Sequence, residues 1–206
     1  MDFGCNFAVV DVPTFSELKA RNTAVADLYV SGSLEVSADT DTGRVNDNFV
    51  FWHGYGDRWW VERNGVAVYA SSSSTDTVAV ARVGEFMVHQ RRGGLIRLGR
   101  SFVPRDLFGP RSLLARRTRV QHGARRPKAV QHNGRPAWSV EVTSSTATTV
   151  MVFDEETAII VELSSPDHEN SLSLVDMEVH TDLPASRFVW NGHAVEAGES
   201  PTFGMS

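Results

Sequence analysis

Short segments of alternating apolar and polar residues, separated by tight-turn signals, constrain this fold more than any other feature of the chain. Residues 137–143 alternate strictly, with apolar side chains at 138, 140 and 142 and polar ones between them, which is the pattern of a half-buried strand. Asn133-Gly134 lies just before this segment, and Asn64-Gly65 separates two further apolar segments. An Asn-Gly pair accepts positive φ at both central positions of a hairpin turn. The sequence therefore predicts a sheet of antiparallel hairpins.

Two further strand pairs follow from the C-terminal half. Residues 150–153 and 159–163 are apolar apart from Glu162 and flank an acidic turn at 154–157, where carboxylates are expected to be solvated and not catalytic. In residues 172–179 the apolar positions change parity between Leu174 and Val175. A β-bulge near residue 174 would reconcile the two faces.

Helical signals are few. Thr14 and Glu17 form a capping-box pair before an apolar pattern with helical spacing, which predicts a helix over residues 15–29, ended by Ser31-Gly32. Gly109-Pro110 predicts a second, short helix over about 111–117. No alternation of helices with strands suggests a parallel sheet. The predicted fold class is α+β: one domain over residues 1–206, with a strongly curved antiparallel sheet or incomplete β-barrel whose concave face is covered by an N-terminal helix and a central helical insertion.

Several classes of function lack their motifs. Cys5 is the single cysteine, and no histidine pair has the i, i+4 spacing of a metalloprotease. The chain has no nucleophile elbow, no phosphate-binding loop and no dinucleotide fingerprint. We therefore expect no catalytic residue, no metal and no cofactor. No secretory signal and no membrane span are readable, which predicts a cytoplasmic protein, or an envelope protein only if a leader has been trimmed.

The apolar residues exceed what a one-sided sheet needs. Trp59 and Trp60 are adjacent, so they point to opposite faces of one strand, and Trp52 lies close by in sequence. Residues 150–153 and 159–161 repeat this two-sided pattern. Two explanations remain open: the second face is covered by the protein's own helices, or it lines a cavity for an apolar ligand.

The order of these segments resembles the LolA/LolB-like lipoprotein-carrier fold family, especially its actinobacterial relatives. The strings that carry the likeness span about residues 15–192 and are, in chain order, Val30-Ser31-Gly32-Ser33-Leu34-Glu35-Val36, Gly56-Asp57-Arg58-Trp59-Trp60-Val61-Glu62, Leu107-Phe108-Gly109-Pro110, Gly134-Arg135-Pro136-Ala137-Trp138, Val152-Phe153-Asp154 and Phe188-Val189-Trp190-Asn191-Gly192. Thr157-Ala158 stands where the family usually has Thr-Gly. The resemblance implies an incomplete antiparallel barrel closed by helices, which binds acyl chains or other hydrophobic molecules.

Charge is concentrated in the middle of the chain. Residues 89–135 hold 13 basic side chains and one acidic one, Asp106, although the whole chain has a net charge of −5. These arginines could be neutralised by the acidic C-terminal third, or could line a rim that meets anionic lipid headgroups, a membrane surface or an acidic protein partner. Nucleic acid is not expected as a partner, because the pI is about 5.8 and no nucleic-acid module is readable.

The leading hypothesis is a non-enzymatic protein that binds a hydrophobic or acyl-chain ligand in a partly open barrel. Its predicted ligand-binding residues are Trp52, Trp60, Phe86, Phe102, Leu113 and Trp138, with Trp59 in place of Trp60 if the opposite parity faces inward. The alternative is a regulatory or scaffolding domain that binds an acidic partner through its arginines. The anion- or partner-binding residues are predicted to be Arg91, Arg92, Arg97, Arg100, Arg116 and Arg117, with Arg105, Arg111 and Arg119 on the same rim. A weaker alternative is an enzyme that positions a hydrophobic intermediate.

Overall fold

A computed structural model describes residues 11–25, 27–72, 78–83, 86–91, 104–116, 123–143, 147–165 and 170–196. Within these residues the chain forms one twelve-stranded sheet with two α-helices. The α+β class with a curved, mostly antiparallel and unclosed sheet is confirmed.

The strands follow one another across the sheet in the order β12-β6-β5-β4-β3-β2-β1-β11-β10-β9-β8-β7. All neighbours are antiparallel except β12 and β6, which are parallel. The strands are β1 (Tyr29–Thr40), β2 (Gly43–Gly54), β3 (Arg58–Arg63), β4 (Val66–Ser71), β5 (Val78–Val83), β6 (Phe86–Arg91), β7 (Lys128–His132), β8 (Arg135–Thr143), β9 (Thr148–Asp154), β10 (Ile160–Ser164), β11 (Asn170–His180) and β12 (Val195–Glu196).

Both predicted Asn-Gly hairpin turns are confirmed. Asn64 and Gly65 have φ of 53° and 71° between β3 and β4, and Asn133 and Gly134 have 47° and 79° between β7 and β8. Positive φ at both positions gives the turn a twist that matches the strands it joins.

The predicted bulge is also present. Ser31 of β1 lies opposite Glu178 of β11, whereas Ser33 lies opposite Val175, so β11 carries one extra residue in this interval. Asp176, at φ 51°, lies in that interval. The bulge is therefore two residues beyond the predicted position.

The first helix is shorter than predicted. α1 spans Phe15–Ala24 and begins with the expected capping box, but β1 already starts at Tyr29. Ser31-Gly32 lies inside β1, so the prediction that it ends the helix is wrong. A Cβ on Gly32 would come within 2.7 Å of the Leu174 side chain, so this glycine allows β11 to pack closely. The second helix, α2, is confirmed at Leu113–Arg116.

The sheet curves strongly. The backbone oxygen of Leu174 in β11 accepts hydrogen bonds from His132 Nε2 (3.0 Å) at the end of β7 and from Asn133 Nδ2 (3.2 Å) in the turn that follows. Three strands separate β11 from β7 in the sheet, so a flat sheet would hold them roughly 19 Å apart at the usual strand spacing. Only a curled sheet brings the two together.

The hydrophobic core lies on one face of this sheet, which we call the core face. Phe51, Trp59 and Phe153 are buried there. α1 packs on it through Phe15 and Leu18, with the Phe15 ring 6.4 Å from that of Phe153. Residues 104–116, which include α2 and which we call the cover segment, pack on the same face.

Candidate ligand cavity

The cover segment closes the core face through three apolar side chains. Leu107, Phe108 and Leu114 are buried in the same cluster as the core strands. The Phe108 ring lies 5.4 Å from that of Trp59 and meets His53 edge-on at 4.8 Å. This short connection therefore shields some of the largest aromatic residues of the sheet from solvent.

The middle of the cover segment is held by Asn22 of α1. The buried Asn22 amide donates hydrogen bonds to the backbone oxygens of Leu107 (2.7 Å) and Ala158 (2.8 Å). Its own backbone oxygen accepts from Gly109 at 2.9 Å, and the Leu107 oxygen also accepts from Ile160. Asn22 thus joins the helix, the cover segment and the β9–β10 connection at one point.

On either side of the Asn22 contacts, the cover segment meets Asp57, in the turn between β2 and β3. Its carboxylate accepts a hydrogen bond from Trp59 Nε1 at 2.6 Å and pairs with Arg111. Arg105 lies farther away, with Nη2 3.5 Å from Asp57 Oδ2. Electrostatic attraction therefore holds the cover segment to this turn.

A cavity of about 280 Å³ lies between the cover segment and the sheet. Its walls mix apolar and charged groups from the segment after α1, the end of β2, the β2–β3 turn and the cover segment: Val25, Asp27, His53, Tyr55, Gly56, Asp57, Arg105, Phe108, Gly109, Pro110 and Arg111. Gly109 has a φ of 91°, and a Cβ there would meet the Val25 backbone oxygen at 3.0 Å. The tight turn that bounds the cavity thus depends on glycine.

His53 is the buried titratable group of this cavity. Burial lowers the pKa of His53 to about 4, so its ring is neutral at physiological pH. Nδ1 lies 2.7 Å from the Leu28 backbone oxygen, which places the ring proton on Nδ1 and leaves Nε2 as an acceptor. The imidazole is held between the rings of Trp59 and Phe108.

The predicted ligand-binding residues are distributed over different surfaces. Trp138 is buried in the core, and Leu113 of α2 packs partly buried against it. Phe86 begins β6, but its side chain, like Phe102, lies outside the described residues. Trp52 and Trp60 lie opposite each other on β2 and β3, on the face away from Trp59. That these residues bind the ligand stays a prediction.

Trp52 and Trp60 are covered by the segment that follows β11. The Arg187 guanidinium lies 3.7 Å above the Trp52 ring centroid and 5.7 Å from that of Trp60, and it pairs with Glu62. The Trp190 ring lies 6.2 Å from Trp60. At these two strands the protein's own chain covers the second apolar face.

The arginine-rich segment divides between two environments. Arg105 and Arg111 lie at the cavity, whereas Arg125 pairs with Glu141, and Arg135 pairs with Asp154 and Glu156 of the acidic C-terminal third. Arg91 ends β6 and Arg116 ends α2. The side chains of these two, and Arg92, Arg97, Arg100, Arg117 and Arg119 entirely, lie outside the described residues.

His53, Tyr55 and Asp57 are cavity residues that the sequence did not single out as a site. Their signal was present in the string of residues 53–57, where glycines separate polar and aromatic residues between two apolar strands. Such a turn exposes side chains at a strand end. The sequence does not show that the cover segment, about fifty residues later, packs over this turn.

Two further properties concern the described part of the chain. No group of three or more His, Cys, Asp or Glu side chains is placed there so that it could hold a metal ion. No helix among the described residues has the length and apolar character needed to cross a membrane.

Comparison with known proteins gives structural matches only. No protein-family model and no curated protein matches the chain. A crystal structure of MucB is 13% identical with a TM-score of 0.51, over 87% of this chain and 64% of that one. The MucA/MucB complex of Pseudomonas aeruginosa is 12% identical with a TM-score of 0.50, over 85% and 59%. A LolA superfamily protein from Nitrosomonas europaea is 10% identical with a TM-score of 0.39, over 86% and 98%.

These likenesses concern the fold alone, because the identities are 13% or lower. The chain spans less than two thirds of the length of the matched chain in both of these structures. The chain has the fold seen in MucB, and the structural matches include a LolA superfamily protein, the kind of relative that the sequence led us to expect.

Proposed function

We propose that this protein is a non-enzymatic binding protein that holds a hydrophobic or acyl-chain ligand between the core face and the cover segment. The observation that carries the proposal is the cavity of about 280 Å³ between these two surfaces. It lies close to the lower end of the range of about 300–1,000 Å³ typical of small-molecule sites.

The inner wall of the cavity supports an apolar ligand. Phe108 and His53 separate the cavity from Trp59 and Phe51, which are almost fully buried. A ligand that moves Phe108 would therefore meet further aromatic surface. Each Å² of apolar surface removed from water contributes about 25 cal/mol, so a longer chain gains affinity as it extends inward.

The contacts that hold the cover segment would allow Phe108 to move when a ligand binds. It is held to the rest of the fold through the Asn22 amide at Leu107 and through the Asp57 carboxylate at Arg105 and Arg111. Its regular structure is one 3-10 turn, Pro104–Asp106, and the four-residue helix α2. Side-chain contacts of this kind can open locally at a smaller cost than a strand of the sheet.

A titration with the neutral fluorescent probe N-phenyl-1-naphthylamine tests the proposal. We expect a saturable rise in fluorescence, and we expect Val25→Phe, which places a larger side chain in the cavity wall, to weaken binding at least tenfold. Val189→Phe is the matched control, because Val189 is 41% exposed and lies away from the cavity. Absence of saturable binding, or equal loss in both variants with unchanged melting temperatures, would contradict the proposal.

A protein partner is the second candidate. The MucB of Pseudomonas aeruginosa was solved in complex with MucA. In this chain Arg126 and Lys128 are exposed beside and on β7, the last strand at that side of the described sheet. Pull-down with an acidic peptide over a salt series tests this candidate, because binding through these charges weakens as ionic strength rises. If the double variant Arg126→Glu/Lys128→Glu still binds the acidic peptide as the wild type does, the result would argue against this candidate.

A further inference from the structure

Arg105 is a buried cation whose hydrogen-bond donors are not all satisfied within the described residues. The residue is 6% exposed, and its guanidinium carbon lies 6.0 Å from the centroid of the Tyr69 ring. Its Nε has no hydrogen-bond partner among the residues that the structure describes. Buried charged groups normally have their donors satisfied, and an exception calls for a ligand, an ion or a water molecule.

The nearby carboxylate does not meet this need. Asp57 Oδ2 lies 3.5 Å from Arg105 Nη2, which is longer than the 2.7–3.2 Å of ordinary N–H···O hydrogen bonds. The same carboxylate already accepts from Trp59 and from Arg111. Asp27, the other acid of the cavity wall, is exposed to solvent, where water and salt screen its charge.

Apolar groups lie beside this cation. Val25 and Phe108 line the same cavity as Arg105, and Phe108 continues into the aromatic core. A guanidinium next to an apolar wall suits a ligand with an anionic head and an apolar chain, because arginine binds carboxylates with two parallel hydrogen bonds.

We infer that Arg105 binds the carboxylate of an acyl-chain ligand, so that the ligand class is a fatty acid whose chain extends along Phe108 toward the core. This inference rests on the proposed function and names its ligand. The carboxylate would accept from the Nε donor that the described residues leave unsatisfied at Arg105.

Competition between two probes of equal chain length tests the inference. Decanoate and 1-decanol are each used at pH 8 to displace bound N-phenyl-1-naphthylamine. We expect decanoate to displace it at a concentration at least tenfold lower than 1-decanol. Arg105→Gln should remove most of that preference, measured as the ratio of the two displacing concentrations. Arg125→Gln is the matched control, because Arg125 pairs with Glu141 outside the cavity, and it should keep the preference.

The outcomes separate the two proposals. Equal displacement by decanoate and 1-decanol would overturn the carboxylate site and leave the binding function standing. A preference for decanoate that survives Arg105→Gln would also overturn it. Failure of the fluorescent probe to bind would instead overturn the proposed function. If Arg105→Gln does not fold, Arg105→Lys retains the charge without the planar fork, and an unchanged preference in that variant would contradict a bidentate arginine site.

Discussion

At the scale of single residues, His53 couples the cavity to the stability of the fold. Its ring lies 4.6 Å from that of Trp59 and 4.8 Å from that of Phe108. Because burial lowers its pKa to about 4, the native state binds this proton less readily than the unfolded chain, whose histidines titrate near 6.5.

We predict that stability falls as pH drops from about 6.5 to about 4. The unfolded state gains a proton in this range and the native state does not, so the contribution of His53 is complete above pH 6.5 and decreases by up to about 1.4 kcal/mol per pH unit. Urea unfolding at pH 7 and pH 5 should show a smaller loss for His53→Asn, whose amide can still donate to Leu28. His193→Asn, at an exposed position, should behave like the wild type. Equal pH dependence in all three proteins would refute the assignment.

A second prediction concerns Asn22. Asn22→Ala removes two buried hydrogen bonds, to the oxygens of Leu107 and Ala158, and should lower the free energy of unfolding by roughly 2–4 kcal/mol. Asn48→Ala, at an exposed position of β2, is the control and should stay within about 0.5 kcal/mol of the wild type. Chemical denaturation measures both, and similar values would show that Asn22 does not anchor the cover segment.

Residue patterns predict that two side chains lie on opposite faces of a strand better than they predict which face is the core. The adjacency of Trp59 and Trp60 required opposite faces, and the structure places Trp59 in the core and Trp60 against Trp190. Which of them faces inward depends on the register with β2, where His53 pairs with Trp59. That register is a long-range property that no local pattern contains.

At the scale of elements, the cover segment depends on a charge in a neighbouring turn. Asp57 has a φ of 60° and pairs with Arg105 and Arg111 across the cavity. Asparagine tolerates positive φ as well as aspartate does, so Asp57→Asn removes the charge while keeping the turn.

We predict that Asp57→Asn loosens the cover segment without unfolding the sheet. Amide hydrogen exchange in residues 107–116 should become about tenfold faster, while exchange in β2 and β3 stays unchanged, because only the ion pairs with the cover segment are lost. Asp176→Asn is a close control, since Asp176 is exposed and also has positive φ, at 51°. Unchanged exchange in Asp57→Asn, or uniform acceleration across the sheet, would contradict this role.

Elements that depend on local turn residues could be predicted from the sequence, whereas the end of α1 depends on long-range packing and could not. Asn-Gly pairs predicted two hairpins because they act locally, and the parity change predicted a bulge in β11. The end of α1 was misplaced because Gly32 was interpreted as a helix terminator. The structure shows that it makes room for Leu174, and such a contact has no local sequence signal.

At the scale of the whole molecule, the arginine-rich middle serves two surfaces. Arg125 and Arg135 pair with acids on β8, β9 and the β9–β10 connection, so part of the segment is neutralised within the sheet. Arg105 and Arg111 instead meet Asp57 at the cavity. Net charge along the sequence could not separate these roles, because strand pairing and the packing of the cover segment decide which arginine meets which acid.

The central claim is that an acyl chain lies between the cover segment and the core face. A crystal structure with 10-bromodecanoate tests it most directly, because the anomalous signal of bromine locates the end of the chain. We predict a bromine peak beside Phe108, with the carboxylate at Arg105. A bromine peak beside Trp52 and Trp60, on the opposite face of the sheet, would contradict the account. So would the absence of bound ligand in crystals grown with saturating 10-bromodecanoate.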